Sequence, residues 1–437
     1  MTSRLWEIWE QLRSSYWFAP AIMAFAAVIA SLLAIEFDRH WFRDIFGDID
    51  WLFNNQPEGA RAVLSTLAGS MITVGGVVFS ITLVTVANAA QQYGPRLLTN
   101  YMRDSVNQLT LGAFIATFLY CLMVLRAVQS APPDAGADEA TFFVPHFALL
   151  LALVMAVMSI GVLIHFLNHI PGSIHISNVI AQIGADLEDQ VQTRFPIQLG
   201  KPADEDPAQA LQRWKNIAPS ELHSPDDNQP EARNIKAEKS GYVRFIDDNR
   251  LMSLLRENDL YLELDVQPGD FVIKGESLMR MAPNPDECDE ICGALCDCVL
   301  IGNSRTPAQD MRFLANELVE IAARALSPGV NDPITAITCI NWLVATQAEL
   351  GRRSPPSPVR QDKNGAPRIR SDALTFEQML ESGLGQVIPY AATDKMATNA
   401  LLDSLRRLAN LTDGPYRAAV NAQIRILKAS AGKVQEN

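Results

Sequence analysis

The front of the chain is dominated by long uncharged apolar runs, whereas the remainder shows shorter amphipathic and alternating patterns. A helix needs about 20 residues to cross the ~30 Å hydrocarbon layer of a bilayer. Four runs reach that length, at residues 17–35, 62–90, 106–125 and 142–167. The pattern therefore predicts a domain of four transmembrane helices over residues 1–185, with the lipid bilayer as its first partner.

The second apolar run is the longest, and it carries polar side chains at helical spacing. A helix over residues 62–92 would be ~46 Å long, which is more than the bilayer core needs. One stripe of this helix holds Thr66, Ser70, Thr73, Ser80 and Asn88. Two interpretations stay open: small residues such as Gly69 and Gly76 favour close helix packing, and the uncharged polar stripe is a candidate pore lining.

The fourth run ends in HFLNHIPGSIH, residues 165–175, which contains three of the six histidines. His165 and His169 lie one helical turn apart, and Pro171 with Gly172 predicts that the helix breaks or bends there. Because no carboxylate follows until Asp186, a third metal ligand is missing, and we predict no metal site. An interfacial elbow is favoured over a pH- or ligand-sensitive joint that couples the tail to the membrane helices.

The pattern changes beyond the membrane domain, and it predicts an α+β tail. Residues 186–234 begin as an amphipathic helix and continue as a Pro-rich linker. Alternating apolar residues around Pro268 and Gly269 predict a small β module over 235–283, with a helix capped by Asp248 between its strands. Residues 284–437 are predicted to be helical. One helix has Thr306 as its N-cap and Pro307 as its first residue, and Gln309 completes a capping box. Another helix is predicted to start after Asp332.

Charge and cysteine usage bear on orientation and partners. The first 185 residues hold 20 of the 85 charged side chains and no lysine. Arginines flanking the helices do not decide the orientation, but five of the six cysteines lie in the tail, which suits a reducing cytoplasm. Both termini are therefore predicted to be cytoplasmic. A net charge of −13 argues against nucleic acid as a partner.

Two segments of the tail concentrate groups with potential chemistry. Cys288, Cys292, Cys296 and Cys298 are spaced for a helix face rather than for paired zinc knuckles, which favours packing over a metal or redox site. The segment LSPGVNDP is interpreted as a helix–loop–helix elbow, with a ligand or subunit contact as the alternative. Its candidate residues are Arg324, Ser327, Asn331 and Asp332.

The motifs RTPAQDMRF, ALSPGVNDPITA, PGDFVIKGESL and FSITLV resemble the bacterial predicted membrane proteins of domain-of-unknown-function family 2254. The resemblance covers nearly the whole chain and implies a bacterial inner-membrane topology, but no catalytic residue. VQPGDFVIKGESL is also similar to one half of the barrel-sandwich modules of lipoyl, biotinyl and efflux-adaptor proteins. Lys274 lacks the hairpin context of a modified lysine, so the similarity implies the fold without the cofactor.

The functional expectation rests on the membrane domain. Nucleotide loops, nucleophile elbows and zinc-protease motifs are absent from the sequence, so no enzymatic activity and no cofactor are expected. The leading hypothesis is a homo-oligomeric channel or passive transporter for a small ion, lined by the second helix and regulated by the tail. The alternative is a membrane-anchored sensor or scaffold whose tail binds a ligand or protein.

Overall fold

The computed structural model describes residues 17–42, 56–93, 105–129, 143–194, 201–202, 206–219, 222, 232–284, 288–354 and 356–436. The chain forms two compact units, and it passes from one to the other between His175 and Ile176. We call them the membrane unit and the tail unit.

The membrane unit contains four long helices. These are α1 (Phe18–Phe37), continued by a π-helical turn (Asp38–Phe42), α2 (Pro57–Tyr93), α3 (Ser105–Ala127) and α4 (His146–Ile174). All four are long and apolar enough to cross a membrane. The prediction of four transmembrane helices is confirmed.

Helix α3 is the centre of the membrane unit, because it packs against each of the other three helices. Half of its spanning segment is buried, against 22–28% for the others. Two sets of hydrogen bonds pair buried polar groups between the helices, as a non-aqueous surrounding favours. The hydroxyls of Thr117 and Ser159 join α3 to α4 at 2.9 Å. The carboxylate of Asp38 accepts hydrogen bonds from two backbone amides at the start of α4, at 2.9 and 2.8 Å.

The tail unit begins with an amphipathic helix that packs inside it. Helix α5 (Ile176–Arg194) buries Ile180, Ile183 and Leu187 and contacts two later helices. Those and the remaining helices are α6 (Pro207–Ile217), α7 (Asp248–Glu257), α8 (Cys288–Cys296), α9 (Met311–Ala325), α10 (Pro333–Leu350), α11 (Phe376–Leu380), α12 (Gln386–Ala391), α13 (Lys395–Leu411) and α14 (Gly414–Glu436). Helix α5 contacts α9 and α10.

Nine strands occur in the described part of the tail unit, and they form two sheets. They are β1 (Lys201–Pro202), β2 (Arg233–Lys236), β3 (Gly241–Ile246), β4 (Tyr261–Leu264), β5 (Phe271–Val272), β6 (Ser277–Ala282), β7 (Val299–Gly302), β8 (Val359–Gln361) and β9 (Pro367–Ser371). One sheet has the order β1-β8-β9-β4-β6-β2 and the other β5-β3-β7. The pair β4 and β9 is parallel, while the other pairs are antiparallel. Apolar side chains of both sheets and α7 form one core.

The strands of the predicted β module do not close into a barrel, so the barrel-sandwich detail is not confirmed. Strand β4 pairs with β9, which comes from a stretch about a hundred residues later that the sequence presents only as Pro- and Arg-rich. Strand β3 likewise pairs with β7, outside the predicted module. The module is therefore part of a larger mixed α+β unit.

Two predicted helix starts are wrong, and a tertiary contact explains one of them. Helix α9 begins at Met311 rather than at Pro307, because the side-chain amide of Gln309 instead pairs with both backbone groups of Ile246, at 2.8 and 3.0 Å. The cap of α7 is Asp247, one residue before the predicted Asp248. Helix α4 continues past Pro171 and Gly172 and ends at Ile174.

Candidate functional site

The polar stripe of α2 lies on the side of the helix that the membrane unit leaves exposed. The buried side is formed by Ala60, Leu64, Ala68, Met71, Gly75, Val78 and Thr82. At 100° per residue these positions and the stripe point in nearly opposite directions. All five stripe residues are exposed: Thr66, Ser70, Thr73, Ser80 and Asn88. The stripe therefore does not line a passage inside a single copy of the chain.

Several hydroxyls of the stripe are satisfied within α2 itself. Thr66 donates to the carbonyl of Ala62 at 2.7 Å, and Thr73 donates to that of Gly69 at 2.8 Å. Ser80 forms the same type of bond, four residues back, at 2.9 Å. Hydroxyls bonded in this way can face lipid, another helix or water without leaving a donor unpaired.

The exposed faces of α1 and α4 differ from that of α2. In α1 the exposed side chains include Phe25 (68%) and Leu33 (66%), and in α4 they include Val157 (68%) and Ile164 (65%). Within the apolar parts of these two helices the hydroxyls are buried, as Ser159 shows. Helices α1 and α4 thus present ordinary lipid-facing surfaces, whereas α2 presents a mixed surface on which polar groups recur.

The histidine segment lies at the end of α4. The rings of His165 and His169 stack with centroids 6.2 Å apart and an interplanar angle of 20°. The backbone interruption comes at His175, which is extended between α4 and α5. No group of three metal-ligating side chains occurs among the described residues. The helix thus ends just before His175 rather than at Pro171 and Gly172, and the role of this segment as a coupling joint stays a prediction.

The LSPGVNDP segment forms a tight elbow between α9 and α10. The Ser327 hydroxyl donates to the carbonyl of Arg324 at 2.6 Å, and the amide of Asp332 donates to that of Ala325 at 2.8 Å. Asn331 adopts a positive φ of 51°, which Asn tolerates better than most residues. The carboxylate of Asp332 caps α10 through both the amide and the hydroxyl of Thr335, at 3.1 and 2.6 Å. These contacts give Ser327 and Asp332 structural roles, and the Arg324 guanidinium lies 3.3 Å from the carboxylate of Glu320.

Cys292 and Cys296 of α8, and Cys298 just after it, pack against the core. Cys298 is fully buried, and burial raises the pKa of its thiol to about 12. Burial also raises the pKa of Cys296, and Cys292 packs against the same cluster. The side chain of Cys288 lies outside the described residues. Protonated, buried thiols are poor nucleophiles and poor metal ligands, which agrees with the packing interpretation.

A cluster of ionic side chains links the start of α9 to the turn before β5. The buried carboxylate of Asp310 binds Arg305 at 2.6 Å and lies 3.6 Å from Arg312. Burial raises the pKa of Asp310, although both guanidinium groups oppose this change. Gly269, with a φ of +95°, lies so close that a Cβ there would overlap the Asp310 carboxylate. The Pro268 and Gly269 turn is therefore fitted to a buried ion pair.

Beside this cluster lies a cavity of about 40 Å³ that sequence reasoning missed. It is lined by Gln267, Gln309, Arg312, Ser371 and the deeply buried Arg360, among others. Arg360 lies in the stretch that reads as a Pro- and Arg-rich loop, and no local pattern there distinguishes a buried arginine from an exposed one. Only the pairing of β8 with β9 and β1 encloses it.

The chain was compared with known proteins. A sequence profile of the family described as "Predicted membrane protein (DUF2254)" matches residues 13–407. The chain belongs to this family. Among its relatives are the uncharacterized proteins Mb1321c of Mycobacterium bovis and Rv1290c of Mycobacterium tuberculosis H37Rv. Each is 31% identical over 386 residues, which cover 87% of this chain and 70% of the relative. No solved structure matches the chain.

Membership of the family confirms the resemblance carried by RTPAQDMRF and ALSPGVNDPITA. In this chain the first motif supplies Arg305, Gln309 and Asp310, and the second forms the elbow. The family description adds a membrane location and no reaction, so function is argued from the geometry.

Proposed function

We propose that the protein is an oligomeric channel or passive transporter for small ions, with the outward face of α2 lining the path and the tail unit regulating it. The observation that carries this proposal is the direction of the polar stripe. Its residues face away from the rest of the membrane unit. In an oligomer, that face would meet the same face of other copies around a central axis.

The contrast among the helices supports an occupant other than lipid for this face. If all outward surfaces met lipid alike, α1 and α4 would carry polar residues as often as α2 does. Instead, within the apolar parts of α1 and α4 the exposed side chains are apolar and the serine hydroxyls are buried. The polar stripe occurs on the outward face of α2 and not on the outward faces of α1 and α4. This difference fits contact of α2 with protein or water in an assembly.

The chemistry of the stripe favours passive movement. No charged residue occurs between Arg61 and Arg96, so the polar stripe of α2 offers hydroxyls and one amide but no acid or base. Proton-coupled pumps use ionisable groups within the membrane. A path along this face would lower the barrier for a small ion through partial solvation by neutral dipoles.

A membrane-anchored sensor or scaffold is the second candidate, and a specific observation favours it. Thr66, Thr73 and Ser80 already bond to their own helix, so they need no water. At Gly69 and Gly76 no atom lies within 4 Å of an added Cβ, which leaves room for a second helix to approach closely. Copies of α2 packed directly on one another would hold the tail units together without forming a path.

Conductance in planar lipid bilayers separates the two candidates. For a channel, purified protein should conduct, and Ser70→Leu or Thr73→Leu should lower the conductance severalfold, because a leucine narrows and dries the path. Ala26→Leu, on the exposed face of α1, is the matched control and should leave conductance unchanged. No conductance from a protein that is oligomeric by native mass spectrometry would favour the scaffold, and a monomer would contradict both.

The proposal includes the bacterial inner membrane as location, with both termini in the cytoplasm. The location is supported by the family's membrane description and by relatives in mycobacteria. The orientation is supported by the concentration of cysteines in the tail. The proposal assigns no reaction, cofactor, metal or nucleic acid to the protein.

A further inference from the structure

Arg360 is a charged side chain in the interior of the tail unit. It is the middle residue of β8, where it pairs with Ile369 of β9 on one side and with Pro202 of β1 on the other. Only 2% of the surface of Arg360 is exposed. Burial lowers its pKa to about 10, with the charge of Asp248 opposing the change, so the guanidinium still carries its charge at neutral pH.

The hydrogen bonds of Arg360 leave one edge of the guanidinium unused. Nη1 donates to the carbonyl of Ser357 at 2.7 Å, while Nε is buried without a hydrogen-bond partner. Among the described residues, no carboxylate oxygen lies within 4.0 Å of the Arg360 guanidinium nitrogens. The Nε and Nη2 edge is the one with which arginine binds carboxylates and phosphates through two parallel hydrogen bonds.

Other arginines of the same sheet have carboxylate partners. Glu263 of β4 lies between Arg280 and Arg370, with a distance of 2.6 Å to each. Arg368 pairs with Asp259 at 2.6 Å and lies 3.5 Å from Asp362. A buried charge without a partner is far more costly than a paired one. The other arginines of the sheet have carboxylate partners, whereas Arg360 has none among the described residues. An anion from outside these residues would neutralise its charge.

The space for an occupant is present. Arg360 lines the cavity of about 40 Å³ together with Arg312, Ser371 and the acidic residues Asp310 and Asp372, and it also lines a smaller apolar cavity. A water molecule needs roughly 10–15 Å³ of such space. The larger cavity can therefore hold a few waters or the anionic end of a ligand. Asp310, which also lines it, is already bound to Arg305.

We propose that this cavity of the tail unit binds an oxyanion, either a free small anion or the carboxylate or phosphate group of a larger molecule, through the guanidinium of Arg360. The inference goes beyond the proposed membrane function, since it holds whether α2 lines a channel or only anchors the tail. It makes the tail unit a ligand-binding module rather than a passive domain.

Thermal unfolding of the full-length protein in detergent tests the proposal. Inorganic phosphate and acetate, each titrated at constant ionic strength against chloride, distinguish the two chemistries. At a hundredfold excess over Kd, the effective anion should raise Tm by about 5–10 °C, and the rise should saturate. Equilibrium dialysis of the wild-type protein with radiolabelled phosphate or acetate measures the same site without any variant. Absence of saturable binding and of a Tm rise with both anions overturns the proposal.

Variants test whether Arg360 is the group responsible. Arg360→Met should abolish the anion-dependent rise in Tm, and Arg360→Lys should keep part of it, because an ammonium retains the charge without the planar fork. Arg368→Met is the matched control: it removes a paired arginine of the same sheet and should keep the anion response. An unchanged response in Arg360→Met overturns the proposal.

A carboxylate of the chain itself is the rival occupant. Asp204 and Glu205 follow Pro202, whose Cα is paired with that of Arg360. If one of them neutralises Arg360, the double variant Asp204→Asn, Glu205→Gln should lower Tm in the wild-type background but not in Arg360→Met. That result, together with no response to added anions, would contradict an external ligand. A double variant that still responds to the anion supports one.

Discussion

Gly269 and Gly275 form a matched pair that tests how tightly the turn before β5 is fitted to the Asp310 ion pair. Both glycines have a strongly positive φ, +95° and +91°. A Cβ on Gly275 would meet no atom within 4 Å, whereas a Cβ on Gly269 would overlap the Asp310 carboxylate. The substitutions Gly269→Ala and Gly275→Ala therefore share a backbone cost and differ in the steric one.

The expected losses follow from these two contributions. A positive φ costs an alanine about 1–2 kcal/mol, and this is the whole effect expected for Gly275→Ala. In Gly269→Ala the carboxylate must also move away from Arg305, which it binds at 2.6 Å while almost fully buried. Breaking a buried ion pair costs about 3–5 kcal/mol. The total for Gly269→Ala is then roughly 4–7 kcal/mol.

Thermal unfolding of the full-length protein, followed by tryptophan fluorescence, measures both losses. In a unit of this size 1 kcal/mol shifts Tm by roughly 2–4 °C, so Gly269→Ala should lower Tm by several degrees more than Gly275→Ala. In an Asp310→Ala background the obstacle is gone, and Gly269→Ala should then cost no more than Gly275→Ala. Equal losses for the two variants in the wild-type background would refute the steric argument.

The remaining predictions concern the α10 cap and the orientation. Asp332→Ala should destabilise the tail by about 1 kcal/mol at neutral pH because α10 loses its cap, whereas Asp332→Asn should cost less. The Thr335 hydroxyl lowers the pKa of Asp332 in the folded state, so its ionised form stabilises the fold above the ordinary aspartate pKa. That stabilisation disappears as the pH falls through the lowered value, and the Tm difference between wild type and Asp332→Ala should shrink toward pH 3; a difference independent of pH would contradict this. A C-terminal alkaline phosphatase fusion should be inactive and a green fluorescent protein fusion fluorescent, and the reverse result would place the tail outside the cytoplasm.

The helices of the membrane unit were predictable because their signal is local. An uncharged run of about 20 residues has few stable alternatives to a transmembrane helix, whatever its neighbours are. The start of α10 was also predicted, since Asp332 and Pro333 mark it directly in the sequence. Signals that depend on one residue were less reliable, as Gln309 shows: it reads as part of a capping box but pairs with the backbone of Ile246.

The sheets of the tail could not be predicted, because their pairing depends on residues far apart in the chain. Strand β9 is short and lies in a Pro- and Arg-rich stretch, and its apolar residue Ile369 gains a core environment only beside β4. The pairing of β8 with β9 and β1 removes Arg360 from water, so this buried charge has no signature in its own segment. The candidate ligand site is thus a product of the tertiary structure.

The sequence by itself determined the number of membrane helices, the polar stripe of α2 and the cap of α10, because each follows from the spacing of residues along one helix. Only the tertiary structure decided that the stripe faces outward, that α4 continues to Ile174, and that Arg360 is enclosed without a carboxylate partner among the described residues. Direction and burial depend on which elements pack together, and a periodic pattern gives a helix its faces without saying what each face meets.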